Sequence, residues 1–342
     1  MLLFGNCLYK NRGVLQLPKK ILMLSTGGTI ASLPGENGLL PQISGETMVQ
    51  MIPELKGLCN ITCREIMNID SSNIMPSDWR TMAEAIEASY GDYDGFVITH
   101  GTDTMAYTSS ALSLMLRNLS KPVILTGSQL PIESPLTDAK KNISDAFKTS
   151  VYGRRGIYIV FNGRIICGSK AKKLYSESFD AFHTINGEDE GKIINGTVFF
   201  DSPEKEPAAG VFHTETKMEE KILTIKLFPG ADPKILDYAA ENKIKGIVIE
   251  GYGAGGIPYR GKDFTAMTAK AVKSGIMTVV ATQCTYDGTD MSKYEVGVLA
   301  EKAGALPAGK MTYEAVVTKM MWALGNAKTE AEAVKLFKEE IL

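Results

Sequence analysis

Short runs that are apolar at every position, each closed by glycine, serine or threonine and each leading into a helical pattern, constrain this chain more than any other feature. Ile21-Leu22-Met23-Leu24 runs into Ser25-Thr26-Gly27-Gly28-Thr29, Phe96-Val97-Ile98 into Thr99-His100-Gly101-Thr102-Asp103, and Val123-Ile124-Leu125 into Thr126-Gly127-Ser128. A strand with no polar face must be covered on both sides, and the joints to the helical patterns are only a few residues long. The expectation is therefore an α/β fold whose N-terminal domain is a doubly wound, mostly parallel sheet. Trp79, Met82, Ala83, Ile86 and Tyr90 recur at helical spacing behind Ser77, which reads as an N-cap. The segments 104–119 and 138–152 predict two further helices. Asn162-Gly163, set between IYIVF and RIICG, is a type I′ turn signal and predicts a hairpin decorating one edge of the sheet.

At 342 residues the chain is long enough for two domains. The stretch 201–220 is polar, rich in proline and charge and without periodicity, as a linker is. It separates a domain over 19–200 from a smaller βα domain over 221–342, with residues 1–18 preceding the first strand as an extension. In the second domain ILTIKLF, GIVIEGY and TVVATQC are strand candidates, with helices from Asp232 and across 262–274. Two closing helices follow, the last opened by a capping box at Thr329-Glu330-Ala331-Glu332. Gly251, Gly253 and Gly256 match G-x-G-x-x-G, but Pro258 follows and no helical pattern opens before Lys262, which argues against a nucleotide site there.

Charge and cysteine usage exclude several functions. Lys plus Arg number 37 against 39 Asp plus Glu, a net charge of −2 that supplies no field for a nucleic-acid backbone. The five cysteines are odd in number and scattered, which reads as cytoplasmic thiols. His100, His183 and His213 have no metal-ligand spacing, so no metal is expected. The N-terminal segment has no apolar core of the length a signal peptide needs, and nothing predicts a membrane span.

In doubly wound sheets ligands bind at the carboxyl ends of the strands. The turns after residues 25 and 99 both carry threonine hydroxyls there, with a carboxylate in the second. Hydroxyls beside carboxylates and a lysine suggest acyl chemistry without a metal, although threonine and glycine also simply suit turns. Asp70-Ser71-Ser72-Asn73 is equally a polar turn or a holder of an amino acid's charged ends. Either lysine of Lys172-Lys173 suits a base or charge stabiliser once desolvated, and lysine pairs are commonly solvated surface.

Taken together, TGGTIAS (26–32), DSSN (70–73), DGFVITHGTDTMAYTSSALSLML (94–116), KPVILTGSQLP (121–131) and KAKKLYSESFDAF (170–182) resemble bacterial type I, cytoplasmic L-asparaginases. The resemblance runs from about Lys19 to the end, and the order and spacing of TGGTI and HGTDTM make it specific. It implies hydrolysis of L-asparagine to L-aspartate and ammonia with no cofactor, in a homodimer or homotetramer. It assigns the nucleophile to Thr29 rather than Thr26, with assistance from Thr102, Asp103 and a lysine that alignment on FDAF makes Lys173. Ser71 and Asp103 are implied to hold the α-carboxylate and α-amino groups, with Asp70 nearby and Ser128 lining the amide end.

The sequence also departs from the family's pattern. Leu39 and Leu40 stand where a tyrosine often sits in the lid after the first turn. Tyr294 is then the nearest candidate for a catalytic phenol, with Tyr286 as its competitor. Lys172 and Glu250 replace the threonine and arginine of a regulatory pocket found in some members, so hyperbolic saturation is expected. Two rival readings remain. One is the asparaginase-like subunit of a tRNA-dependent amidotransferase, which carries an additional small β-domain ahead of TGGT and works with a partner. The other is a non-catalytic amino-acid-binding module on the same fold.

Overall fold

The computed structural model describes residues 18–35, 38–201, 203–204 and 210–340, so the extension expected at 1–18 lies outside the described residues but for Pro18. An eight-stranded sheet dominates the first domain. Its order is Thr197–Phe200, Gly191–Ile194, Arg164–Cys167, Gly156–Phe161, Pro122–Thr126, Gly95–Thr99, Lys20–Gly27, Asn60–Ile69. The five strands from Gly156–Phe161 to Asn60–Ile69 are parallel and the rest antiparallel. The three apolar runs read from the sequence form the middle of this sheet, and Ile21–Leu24, Phe96–Ile98 and Val123–Leu125 have no exposed surface.

Strand Lys20–Gly27 is flanked by Asn60–Ile69 on one side and by Gly95–Thr99 on the other. The winding direction reverses there, and the carboxyl ends of these two strands open the crevice where α/β sheets bind ligands. The hydroxyl-rich turns at 25–29 and 99–104 both stand at this reversal.

Several expectations need correction. The Asn162-Gly163 turn does form, with φ of 49° and 79° as a type I′ turn requires, but its hairpin is not at the edge. A second hairpin turning at Asn195-Gly196, with φ of 50° and 75°, adds the two outermost strands. Ser77 is not an N-cap. The helix is Pro76–Ser89, Met75 is the capping position, and the Asp78 carboxylate accepts from Met75 N–H at 2.7 Å. Pro76 decides this, since its missing N–H suits the first helical position. The next helix, Met105–Met115, stops short of the expected 119 because Leu116–Arg117 pairs with His213–Thr214 from the linker stretch.

The second domain has a parallel sheet ordered Ile222–Lys226, Gly246–Gly251, Met277–Thr282, Leu306–Pro307. Three helices rather than two close it: Glu295–Lys302, Tyr313–Asn326 and Glu330–Lys338. Thr329 caps the last by accepting from Glu332 N–H at 3.2 Å, while the Glu332 carboxylate takes the N–H of Lys328 rather than that of Thr329. The glycine-rich stretch after Glu250 is a tight turn in which Tyr252 N–H donates to Gly256 O, and the helix Phe264–Lys273 starts well beyond it.

The domains meet through two buried helices. Ser110 Oγ on Met105–Met115 is 2.9 Å from Thr318 Oγ1 on Tyr313–Asn326, and both residues are buried. Sandwiched between the sheet and the second domain, Met105–Met115 is buried on nearly every side, which its serines and alanines permit by being small. The Thr102-Asp103 turn leads directly into this buried helix.

Glycines bring the turns together. Gly28 has φ of +81°, and a Cβ there would stand 2.5 Å from the Gly101 Cα and N. Gly28→Ala must strain a backbone at φ 81° and ψ 177°, a region open essentially to glycine alone, which costs about 1–3 kcal/mol, and also push back main chain. We expect the variant to lose at least that much stability in urea unfolding. An unchanged unfolding midpoint contradicts the packing.

Candidate active site

Three turns converge where the sheet reverses. The first leaves strand Lys20–Gly27 through Gly27 and Gly28 into a 3-10 turn at Thr29–Ala31, tied by Ala31 N–H and Ser32 Oγ to Gly28 O. The second is the 3-10 turn Ser71–Asn73, capped by Asp70, whose Oδ1 accepts from Ser72 N–H at 2.8 Å. The third is Gly101–Thr104. A Cβ on Gly101 would lie 2.6 Å from Ser71 Oγ, and Thr104 Oγ1 donates to Ser71 O at 2.7 Å. The first and third turns thereby meet main chain to main chain, and the second meets the third through Ser71.

The two threonines of the first turn are not equivalent. Thr26 is buried and its hydroxyl donates to Thr99 O at 2.9 Å, a bond that ties two strands together. Thr29 is half-buried one turn further on, at the carboxyl end of the sheet.

Lys172 and Lys173 separate by the alternation of a strand. They lie on Ala171–Lys173, paired with Phe182–Thr184, so consecutive side chains point to opposite faces. Lys173 Nζ stands 2.8 Å from Thr102 Oγ1 and 2.7 Å from Asp103 Oδ1. Its side chain is 16% exposed, against 60% for Asp103. Lys172 turns away to Glu314, 3.5 Å from its Oε1. It lines a separate cavity of about 210 Å³ with Lys226, Glu250 and Gln283.

A fourth segment, after strand Pro122–Thr126, closes the group. Ser128 is buried with its hydroxyl on Leu130 O at 2.5 Å, and the turn is held by Asp138, which accepts from the N–H groups of Gln129 and Leu130. Gln129 was not singled out from the sequence. Its Nε2 donates to Ser176 O and Ser178 O at 3.0 Å each, which directs Oε1 toward Thr102 Oγ1, 3.4 Å away. It therefore connects the loop after Lys173 to the Thr102 hydroxyl.

Among the sequence-derived candidates, Thr102, Asp103 and Lys173 are in direct contact, Ser71 abuts Gly101, and Thr29 follows the glycine that packs on Gly101. Tyr294 is not brought to them within this chain. It is 65% exposed and lines an apolar hollow with Tyr252, Ile257, Pro258 and Val296. Tyr286 is also exposed. Leu39 and Leu40 lie on a two-stranded hairpin, Ser32–Gly35 with Gly38–Pro41, and the placement of their side chains lies outside what is described. Among the described residues no group of three or more His, Cys, Asp or Glu is placed to hold a metal, and no helix is long and apolar enough to cross a membrane.

Burial pulls the His100 imidazole, next to this turn, down to about 4 from its ordinary 6.5, a hydrogen bond to Gly101 O opposing the shift in part. The folded chain then holds the neutral ring while the unfolded chain takes up a proton below pH 6.5. Stability is therefore lost as pH falls from 6.5 toward 4, and this group contributes no further loss below that. Urea midpoints measured across this range should decline, and a flat profile contradicts a buried neutral ring.

Residues 20–206 match the family described as "Asparaginase, N-terminal" and residues 221–337 the family described as "Glutaminase/Asparaginase C-terminal domain". An L-asparaginase of Thermococcus kodakarensis is 41% identical over 337 residues, covering 94% of this chain and 98% of that protein. A solved structure of the thermostable L-asparaginase from that organism superposes with a TM-score of 0.89 at 40% identity, again over 94% and 98% of the two chains. A glutamyl-tRNA(Gln) amidotransferase subunit of Pyrococcus furiosus is 34% identical over 92% of this chain and 74% of its own length. A structure described as a probable cytoplasmic L-asparaginase from Campylobacter jejuni matches at 26% identity and a TM-score of 0.81, covering 94% of this chain and all of that one.

Proposed function

The chain belongs to the asparaginase/glutaminase family, and from that premise we propose that it is an L-asparaginase in which Thr29 is the nucleophile and Lys173, Thr102 and Asp103 manage the protons and the substrate's amino group. The observation that carries the assignment is the contact of Lys173 Nζ with both Thr102 Oγ1 and Asp103 Oδ1 beside the turn bearing Thr29.

Asp103 holds Lys173 with one carboxylate oxygen and offers the other, well exposed, to an α-ammonium. Ser71, in contact with the same turn, donates to the α-carboxylate, with Asp70 capping its turn alongside. A free amino acid is selected by these two ends. Its side-chain amide then lies toward Thr29 and the Ser128 segment. The Thr29 oxygen attacks the amide carbon and its proton passes through Thr102 or a water to Lys173. The developing oxyanion needs N–H donors. Gly28 N–H is engaged with Ile69 O at 3.1 Å, so that role falls to the N–H groups beyond it, Thr29 first. Lys173 returns its proton to the leaving nitrogen, ammonia departs, and water hydrolyses the aspartyl ester to free L-aspartate and Thr29.

The finer reading is a type I, cytoplasmic enzyme acting as a homodimer or homotetramer. Its support is the sequence resemblance and the description of the Campylobacter jejuni structure. The first relative is archaeal, so the resemblance extends beyond bacterial members. In an assembly, Tyr294 is free to act on a site to which its own chain does not bring it.

Ammonia release by the purified chain alone, with no tRNA and no partner, is the test. Thr29→Ala should abolish it, and Lys173→Met should lower kcat by about 10²-fold or more, the scale of a lost acid–base group. Thr26→Ala and Lys172→Met should cost far less, because their polar atoms serve Thr99 and Glu314. Release only with an added partner favours the amidotransferase reading. Asparagine binding without turnover favours the non-catalytic module.

A further inference from the structure

His100, between the strand Gly95–Thr99 and Gly101, has no exposed surface and touches no substrate in the mechanism above. Its ring is nonetheless held at both nitrogens. Trp79 Nε1 is 3.0 Å from Thr108 Oγ1, Thr108 Oγ1 is 2.9 Å from His100 Nε2, and His100 Nδ1 is 2.6 Å from Gly101 O. The direction of every bond follows by elimination. Indole N–H only donates, so Thr108 accepts it. A carbonyl only accepts, so Nδ1 carries the ring proton. A neutral ring then has a bare Nε2, and the single Thr108 hydroxyl proton goes there. A protonated ring would instead make the Thr108 hydroxyl accept twice and turn its own proton away, and burial disfavours that charge.

We infer that the chain Trp79 to Thr108 to His100 to Gly101 is a positioning device for the proposed reaction, with His100 as its working member in the Nδ1–H tautomer. The Gly101 carbonyl is drawn inward to the ring. In a trans peptide the Thr102 N–H faces the opposite way from that carbonyl, so fixing one fixes the other. The same peptide plane carries Thr102 to Lys173. Trp79 and Thr108 lie on the helices Pro76–Ser89 and Met105–Met115, so the turn takes its orientation from two elements of the fold as well as from its own backbone. Gly101 cannot supply this orientation itself, because it has no side chain, and the close approach of Ser71 and Gly28 requires it to have none.

The inference rests on the asparaginase reading, and the experiment separates the two. Ring-nitrogen NMR on the full chain labelled with 15N-histidine reads the tautomer directly among His100, His183 and His213. A neutral Nδ1–H ring at His100 is expected, and an Nε2–H ring overturns the device. The second arm is kinetic. An asparagine amide can take the place of Nδ1–H, whereas a glutamine amide takes the place of Nε2. His100→Asn should therefore keep kcat for ammonia release within about five-fold of wild type, while His100→Gln should lose about 10²-fold, the cost of misplacing a reacting group by about an ångström. KM should move little in either. A purely structural role would order the activities as the thermal midpoints, and equal kcat losses in the two variants overturn the positioning claim. Thr108→Val, which leaves the ring in place and removes its donor, should lower kcat in the same sense. If the wild-type chain releases no ammonia, the functional reading is what fails, and the NMR arm still decides the tautomer.

Discussion

Everything at the junction depends on how closely three turns approach one another. Gly28 packs on Gly101 and Gly101 packs on Ser71, each so tightly that a single added carbon would stand within 2.6 Å of the neighbour. Side chains on all three turns can then face one small volume, although Thr29, Ser71 and Thr102 are far apart in sequence. Glycine costs conformational entropy on folding, and the fold recovers order by anchoring what surrounds it. Gly28 N–H bonds to Ile69 O, Thr104 Oγ1 to Ser71 O, and the inner carbonyl of Gly101 to a fully buried imidazole.

The same division between a rigid support and a reactive tip recurs in the lysine pair. Two residues with the same chemistry are sent by one strand to opposite environments, Lys173 to Thr102 and Asp103, Lys172 to Glu314 on a helix of the second domain. That helix also packs on Met105–Met115, whose amino end carries the Thr102 turn. Domain packing and the position of the proposed acid–base group are therefore mechanically linked through Ser110, Thr318 and the strand Ala171–Lys173.

Central strands were legible because a strand covered on both faces is apolar throughout. The outermost hairpin was not, for the converse reason. Gly191–Ile194 and Thr197–Phe200 are four-residue strands that alternate between exposed and more covered positions and carry no fully buried run, even though Asn195-Gly196 repeats the turn signal recognised at Asn162-Gly163. At the site, the residue types of Thr29, Thr102, Asp103 and Lys173 were legible through motif resemblance. Their proximity was implied by the resemblance, but the contacts of Lys173 with Thr102 and Asp103 were not legible, since they join segments about 70 residues apart. Periodicity could not reveal Gln129 or His100 in a supporting role. Both work by aiming hydrogen bonds, and a single polar residue in a turn carries no pattern. Proline at 76 was the available signal for the true start of its helix.

The central claim is that one amino acid lies across the three turns with its side-chain carbon against Thr29. A crystal structure of the full chain with L-aspartate bound tests it most directly. The account predicts the α-carboxylate on Ser71, the α-ammonium on Asp103 and the side-chain carboxylate between Thr29 and Thr102. Aspartate bound in the reverse sense, with its α-carboxylate against Thr29, or seated only in the cavity beside Lys172 and Glu250, would contradict it.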